Sequence, residues 1–280
     1  MKVVTLSSEN LDDLILQGID HINKKGIYLK TRVGDAQQAY NVNYVLKNTK
    51  NRLHCLRAPI SIRYFARELI AYFNGIQDID QGLLKASKYW KKVADENGKI
   101  NSNYGHYVFY EKNNEITQYE WIVKSLIKDI YTRQAVININ QCYHKNFNTK
   151  DFPCTISLIF YIKQNILYCV VYSRSTDVFF GLPYDLGFFS FVHELIYKDL
   201  LQRESILFKN LKLGSTSIQC ICTQIYSMTR EKALNLLKYK KSNFPKFEMP
   251  GIDNAKQVLE DIYNQTSHSE VMKWIYQNAK

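Results

Sequence analysis

Apolar residues at Leu11, Leu14, Ile15, Ile19 and Ile22 recur at three-and-four spacing, which predicts an amphipathic helix near the start of the chain. Ser8 is placed to cap it and Gly26 to end it. The same period returns over 60–73 at Ile62, Phe65, Leu69, Ile70 and Phe73, and Asn74-Gly75 supplies the stop, so a second, mostly buried helix is expected there. Between 155 and 180 the period changes to two. Ile156, Leu158, Phe160 and Ile162 alternate with other residues, Lys163-Gln164-Asn165 makes a polar break and 166–172 resumes, which reads as a β-hairpin. A helical pattern follows over 186–201, strands are expected over 205–213 and 217–223, and two or three helices from Met228 complete the chain. Strands with flanking helices make an α+β fold. No internal repeat is visible, so the expected organisation is one domain over 1–280, with the N-terminal helix within 1–26 and a helical region over 227–280.

Composition leaves the fold class as it is and narrows the function. A chain of 280 residues that is 46% hydrophobic can bury a sizeable core, and 11 glycines and 5 prolines are too few for a disordered or collagen-like chain. No apolar run approaches the roughly 20 residues of a membrane helix, so a soluble, cytoplasmic protein with no membrane partner is expected. The cysteines Cys55, Cys142, Cys154, Cys169, Cys220 and Cys222 include no CxxC pair, which predicts reduced thiols and no metal site. Cys220 and Cys222, two apart on an expected strand, are read as facing the core together. The net charge of +11 favours anionic ligands, phosphorylated small molecules as readily as nucleic acid. Lys238-Tyr239-Lys240-Lys241 reads as a solvated helix end, so nucleic acid is not the expected partner.

Common chemical signatures are missing. There is no GxxxxGK[ST] and no GxGxxG, and His193-Glu194 lacks the second histidine of a zinc-protease helix. Two local clusters remain. Asp151-Phe152-Pro153-Cys154-Thr155 places a cysteine after a proline at the start of an expected strand, where its side chain projects at a sheet edge. The run from Ser173 to Asp185 packs Arg174, Ser175, Asp177 and Asp185 into the end of an apolar strand. Arg174 and Ser175 suit a phosphate, and the two carboxylates suit ring N–H donors.

These two segments, in this order, resemble the thymidylate synthase family, whose nucleophile follows a proline and whose downstream segment runs Arg-Ser-x-Asp-x-x-x-Gly-x-Pro before an Asn or Asp. Upstream, Arg32-Val33-Gly34 resembles the family's phosphate-loop arginine, Arg67-Glu68-Leu69 its glutamate-bearing helix, and Tyr89-Trp90 through Gly98 its tryptophan segment. The likeness runs from about residue 32 to 226. It implies a thymidylate synthase-like α+β fold, a large mixed sheet with flanking helices, one sheet face forming a homodimer interface. Within the family the chain is similar to the phage deoxycytidylate hydroxymethylase branch: Ile100-Asn101-Ser102-Asn103-Tyr104-Gly105 replaces the usual proline-valine lead, Val93 a second tryptophan, and Thr155 the histidine after the cysteine. Asp185 is the sharpest sign, because an asparagine amide matches the edge of uracil whereas a carboxyl group matches that of cytosine.

The resemblance implies that Cys154 adds to carbon 6 of a pyrimidine nucleoside monophosphate and that methylenetetrahydrofolate, as co-substrate, supplies one carbon to carbon 5. Arg174 is expected to lower the thiol pKa, Glu68 to manage protons in an aromatic setting that raises its own pKa, Tyr104 to remove the carbon 5 proton, and Asp177, Trp90 and Gly181 to hold the folate. Arg32, Arg174 and Ser175, with Arg133 from a second subunit, are expected around the phosphate. Two positions depart from the family: Gln134 stands where a second arginine is usual, and Ser217 and Gln219 stand where a histidine and tyrosine grip the sugar. The implied activity is hydroxymethylation of dCMP. Action on dUMP or CMP, and a nucleotide-binding homologue without catalysis, stay open.

Overall fold

A computed structural model describes residues 2–31, 34–239 and 247–280. The strands are β1 (Val4–Ser8), β2 (Ile27–Thr31), β3 (Gly34–Leu46), β4 (Lys112–Asn113), β5 (Ile116–Thr117), β6 (Val136–Asn138), β7 (Thr155–Lys163), β8 (Ile166–Asp177) and β9 (Lys212–Tyr226). The helices are α1 (Leu11–Lys25), α2 (Ile60–Asn74), α3 (Gln118–Lys128), α4 (Leu182–Arg203), α5 (Ser227–Leu236), α6 (Ala255–Asn264) and α7 (Glu270–Asn278). Seven strands form one mixed sheet in the order β1-β3-β9-β8-β7-β6, with β2 also on β3; β1/β3 and β8/β9 are parallel. The fold is therefore α+β with helices packed on a large mixed sheet.

Most of the expected elements are present, and the differences have physical causes. α1 starts at Leu11, because Val4–Ser8 pairs with β3 as a strand and Asn10 accepts the N–H of Asp13 as the cap. The β7–β8 hairpin turns at Gln164 and Asn165, both left-handed (φ 53° and 58°), as a two-residue turn requires. The strand expected over 205–213 does not form. Beyond the Ile166–Lys212 pair the sheet offers no neighbouring backbone, so 204–211 folds into turns and leaves Ile206 exposed. The sequence reading also passed over β2, which is only five residues long, and β3, whose glutamines and asparagines obscure the alternation. No helix of the described residues is long and apolar enough to cross a membrane.

α4 is the hub. Phe188, Phe189, Phe191, Val192, Leu195 and Ile196 are fully buried because the helix has the sheet on one side and α2, α3 and α6 on the other. The two residues that failed the protease motif hold it in place. His193 accepts from the Thr216 hydroxyl at 2.9 Å through Nδ1 and donates to the Leu167 carbonyl at 3.1 Å through Nε2. Glu194 is fully buried, paired with Arg52 and accepting the N–H of Ile252 at 3.2 Å. No helix of the described residues covers the opposite sheet face. Val136, Ile159, Val170, Ser217 and Val45 lie in register across it, with Tyr172 and Tyr161 each 38% exposed beside them.

Three neighbouring strands change face at one level. Along β8 the buried positions run Cys169, Val171, Ser173 and then Thr176; along β9 they run Ile218, Cys220 and then Thr223; along β3, Ala39 and then Val42, with left-handed Asn41 (φ 52°) between. Each strand thus has two consecutive residues off the core, and Ser175, Cys222 and Tyr40 fall in one row. Cys222 is consequently half-buried beside Arg174 while Cys220 is buried, so the two cysteines do not share a face as expected.

Removing the charge of Glu194 strands a buried guanidinium. Glu194→Ala is expected to cost about 3–5 kcal/mol in urea unfolding; a loss below about 1 kcal/mol would show that the pair carries no such weight.

Candidate active site

Cys154, Glu68, Tyr104 and Asp185 come from four different elements and meet at one end of α4. Cys154 directly precedes β7, its carbonyl accepting the N–H of Arg174 at 2.9 Å. Glu68 lies mid-way along α2. Tyr104 stacks between Tyr72 and Phe189, 5.6 Å from each ring, and Asp185 occupies the first turn of α4. Gly105 permits this approach, since a Cβ there would run into the Tyr72 carbonyl. Asp185 acts electrostatically on all three of the other groups.

Burial governs the chemistry of this chamber. Glu68 is 4% exposed and accepts the Tyr64 hydroxyl at 2.8 Å, and desolvation pushes its carboxyl up to about 8, with the Asp185 charge adding to the rise. Its Oε2 is buried without a hydrogen-bond partner. Desolvation alone raises Asp185 to about 7, and its carboxyl group takes no hydrogen bond from the described residues. Cys154 goes the same way. The expected pull of Arg174 is present, but burial outweighs it, so the thiol stands at about 11 and is protonated at neutral pH.

At the mouth, Arg174 donates to the carbonyls of Pro153 (3.1 Å) and Phe152, bracing the cysteine segment, and Ser175 exchanges hydrogen bonds with Gln224. Gln224 was missed by the sequence reading. Ser217 and Gln219 pair with Val170 and Tyr172, well back along β8 on the open face; Cys222 and Gln224 are the residues level with Ser175 and Asp177. The strand's change of face hides this in the sequence. Arg32 lies outside the described residues. Arg133 is exposed just ahead of β6, level with Ile162, eight residues from Cys154 or about 25 Å along the hairpin. Within one chain it does not reach the thiol.

Asp177 shapes the turn into α4: its Oδ1 accepts the N–H groups of Phe179 and Phe180, and burial raises it to about 6. Gly181 closes that turn by donating to the Asp177 carbonyl at 2.8 Å. Arg57, also missed from sequence, lies 4.3 Å from the Phe179 ring centroid and donates to the Phe179 carbonyl and Tyr184 hydroxyl. Trp90 is half-buried beside Tyr64, its buried indole N–H interacting with the Tyr64 hydroxyl. The indole donor and the carboxyl groups of Glu68 and Asp177 together fit a flat heterocycle that carries both donors and acceptors. Among the described residues no cluster of three metal-ligating side chains exists.

Because folded Glu68 holds its proton up to about pH 8 while the unfolded chain loses it near 4.5, stability falls as pH rises through that window. Glu68→Gln is expected to remove this loss, so that the variant gains a few kcal/mol on the ligand-free parent between pH 5 and 8.5 in thermal unfolding. Parallel pH profiles would refute it.

Comparison with known proteins gives the family. The family model described as thymidylate synthase matches residues 12–272. Thymidylate synthase of Wigglesworthia glossinidia brevipalpis is 29% identical over 199 residues, covering 63% of this chain and 72% of that protein. Deoxycytidylate 5-hydroxymethyltransferase of Enterobacteria phage T4 is 28% identical over 169 residues, covering 59% and 67%. Thymidylate synthase of Buchnera aphidicola subsp. Acyrthosiphon pisum (strain APS) is 27% identical over 191 residues, covering 64% and 69%. With its mixed sheet, its cysteine and its buried carboxyl groups in one chamber, this chain belongs to the thymidylate synthase family of one-carbon transferases.

Proposed function

We propose that the chain hydroxymethylates dCMP at carbon 5. The observation that carries this reading is Asp185, a recessed carboxyl group that takes no hydrogen bond from the described residues and has a pKa raised to about 7. Near neutrality such a group is protonated about half the time. As an acid it donates to the ring nitrogen of cytosine while its other oxygen accepts from the exocyclic amine. Uracil presents a donor where cytosine presents an acceptor, and a mismatched buried edge costs about 1–3 kcal/mol.

In this reading the Cys154 sulfur forms a bond to carbon 6, its proton leaving, and the electron pair of the 5,6 double bond becomes nucleophilic at carbon 5. Methylenetetrahydrofolate, when bound, supplies a carbon at the oxidation level of formaldehyde. Trp90, Asp177 and the turn at Gly181 would hold it. Tyr104, beside Cys154 and Asp185, is placed to take the carbon 5 proton, and Glu68, protonated at neutral pH, to relay protons through water at its free oxygen. Water then adds its hydroxyl to the methylene left on carbon 5, and loss of the sulfur from carbon 6 restores the 5,6 double bond and returns the proton to the Cys154 thiol.

A second copy of the chain is part of the proposal. The sheet face that no helix of the described residues covers is apolar in register, and Arg133, expected at the phosphate, stands at the far end of the hairpin from Arg174. A two-fold axis through that face reverses the sheet and brings the Arg133 end of one subunit toward the Arg174 end of the other.

Two experiments test this. With methylenetetrahydrofolate and carbon 5-tritiated nucleotides, release is expected from dCMP with a hydroxymethyl product, and Asp185→Asn is expected to move the dCMP-to-dUMP preference by about tenfold to a hundredfold toward dUMP; release only from dUMP by the parent protein would overturn the cytosine assignment, and preference for CMP the deoxyribose. Mixing inactive Cys154→Ala with inactive Arg133→Ala subunits is expected to restore activity, whereas no recovery in mixed dimers would rule out shared sites.

A further inference from the structure

Asp151, three residues before the nucleophile, has no task in the scheme above, yet it is buried at 9% exposure and fully engaged. Its Oδ2 accepts the backbone N–H of Ser102 at 2.7 Å and its Oδ1 accepts the Ser102 hydroxyl at 2.5 Å. Its own carbonyl accepts from Asn101 Nδ2 at 2.8 Å. From the other side, Arg174 holds the carbonyls of Phe152 and Pro153. The segment leading to Cys154 is thus gripped from two directions, by 101–102 and by β8. Tyr104 lies only two residues beyond Ser102, so this clamp is a short bridge between the phenol and the thiol.

A carboxylate is a demanding choice for the clamp. Burial pushes the Asp151 carboxyl up, and the bonds from Ser102 and the charge of Arg174 only partly oppose that. A neutral side chain would have tied the segments together without the desolvation cost. What the charge adds is a field that Cys154 and Tyr104 both feel, and it favours the protonated form of each.

We propose that Asp151 is a positioning residue, which through Ser102 sets where Tyr104 stands relative to Cys154 and places a negative charge opposite Arg174 at the thiol. The proposal rests on Cys154 as the nucleophile of the reading above. The groups facing that thiol are Arg174 from β8, Asp185 from α4, Tyr104 from the preceding loop, Cys220 and Tyr226 from β9, and Asp151 itself. Among the described residues Arg174 is the cation acting on the sulfur, so neutralising Asp151 leaves its pull less opposed.

The test uses Asp151→Asn and Ser102→Ala in the full chain. Iodoacetamide alkylation of the Cys154 peptide is followed by mass spectrometry against pH, alongside kcat and KM for tritium release. Asp151→Asn is expected to shift the alkylation profile to lower pH, with about tenfold faster alkylation at neutral pH, and to lower kcat more than it changes KM. Ser102→Ala keeps the charge and loses one bond, so it is expected to lower kcat while its alkylation profile stays in place. An unmoved profile in Asp151→Asn, or unchanged kcat in both variants, would overturn the proposal. Should Asp151→Asn fail to fold, Ser102→Ala decides: a kcat loss with an unmoved profile supports the clamp, and an unchanged kcat removes it. If the parent turns over no nucleotide, the proposed function falls, while the alkylation profiles still decide the role of Asp151's charge.

Discussion

The site depends on a change of face made together by β3, β8 and β9. A strand that kept strict alternation would point Arg174 and Ser175 to opposite sides of the sheet. Because the three strands each spend two consecutive residues off the core at the same level, Arg174, Ser175, Cys222 and Tyr40 gather at one mouth, and the strand register is kept although the pairing skips Ile221 on both sides. The same shift lets Thr176 and Thr223 return to the core and carries β8 into the Asp177 turn, which starts α4 and so delivers Asp185. The gathering of Arg174 and Ser175 and the placing of Asp185 on the hub helix are therefore consequences of one irregularity.

Behind that mouth, the energetics are those of ionisable groups kept from water. Glu68, Asp185 and Cys154 would all be anionic in some part of the neutral-to-basic range, and placing three such groups together favours their protonated forms. Arg174 is not free to compensate fully, since two of its donors brace the backbone ahead of the cysteine. A chamber of this kind is loaded with protons before any substrate arrives, which suits a reaction in which a thiol, a ring nitrogen and a carbon-bound hydrogen must each exchange one. Tyr64, Tyr72 and Phe189 supply the low-dielectric walls, and the Arg52–Glu194 pair with His193 holds α4 against the sheet at its other end.

Much of this was readable in the amino-acid order. Helix α2 announced itself by apolar spacing and its Asn74-Gly75 stop, the β7–β8 hairpin by alternation around a polar break, and the reacting groups by the motifs around Cys154, Arg174 and Asp177. These are local signals, carried by near neighbours in the chain. Other features gave no such signal. The start of α1 moved because a parallel strand, whose partner is some forty residues away, claimed Val4–Ser8. The strand expected over 205–213 was lost because strand formation needs an edge to pair with, and none reaches that far. Gln224 was overlooked and Ser217 and Gln219 were misplaced because counting along β9 assumes an alternation that the chain abandons between Cys220 and Thr223.

By itself, then, the sequence determined the fold class, the main helices and the candidates for the chemistry, because hydrophobic period, caps and short motifs act within a few residues. Only the tertiary structure decided how those groups ionise and which of them meet. Burial is a property of the whole chamber, so the rise of Cys154 against the pull of Arg174, the near-neutral pKa of Asp185 and the Asp151–Ser102 clamp all required segments distant in sequence to be brought into contact.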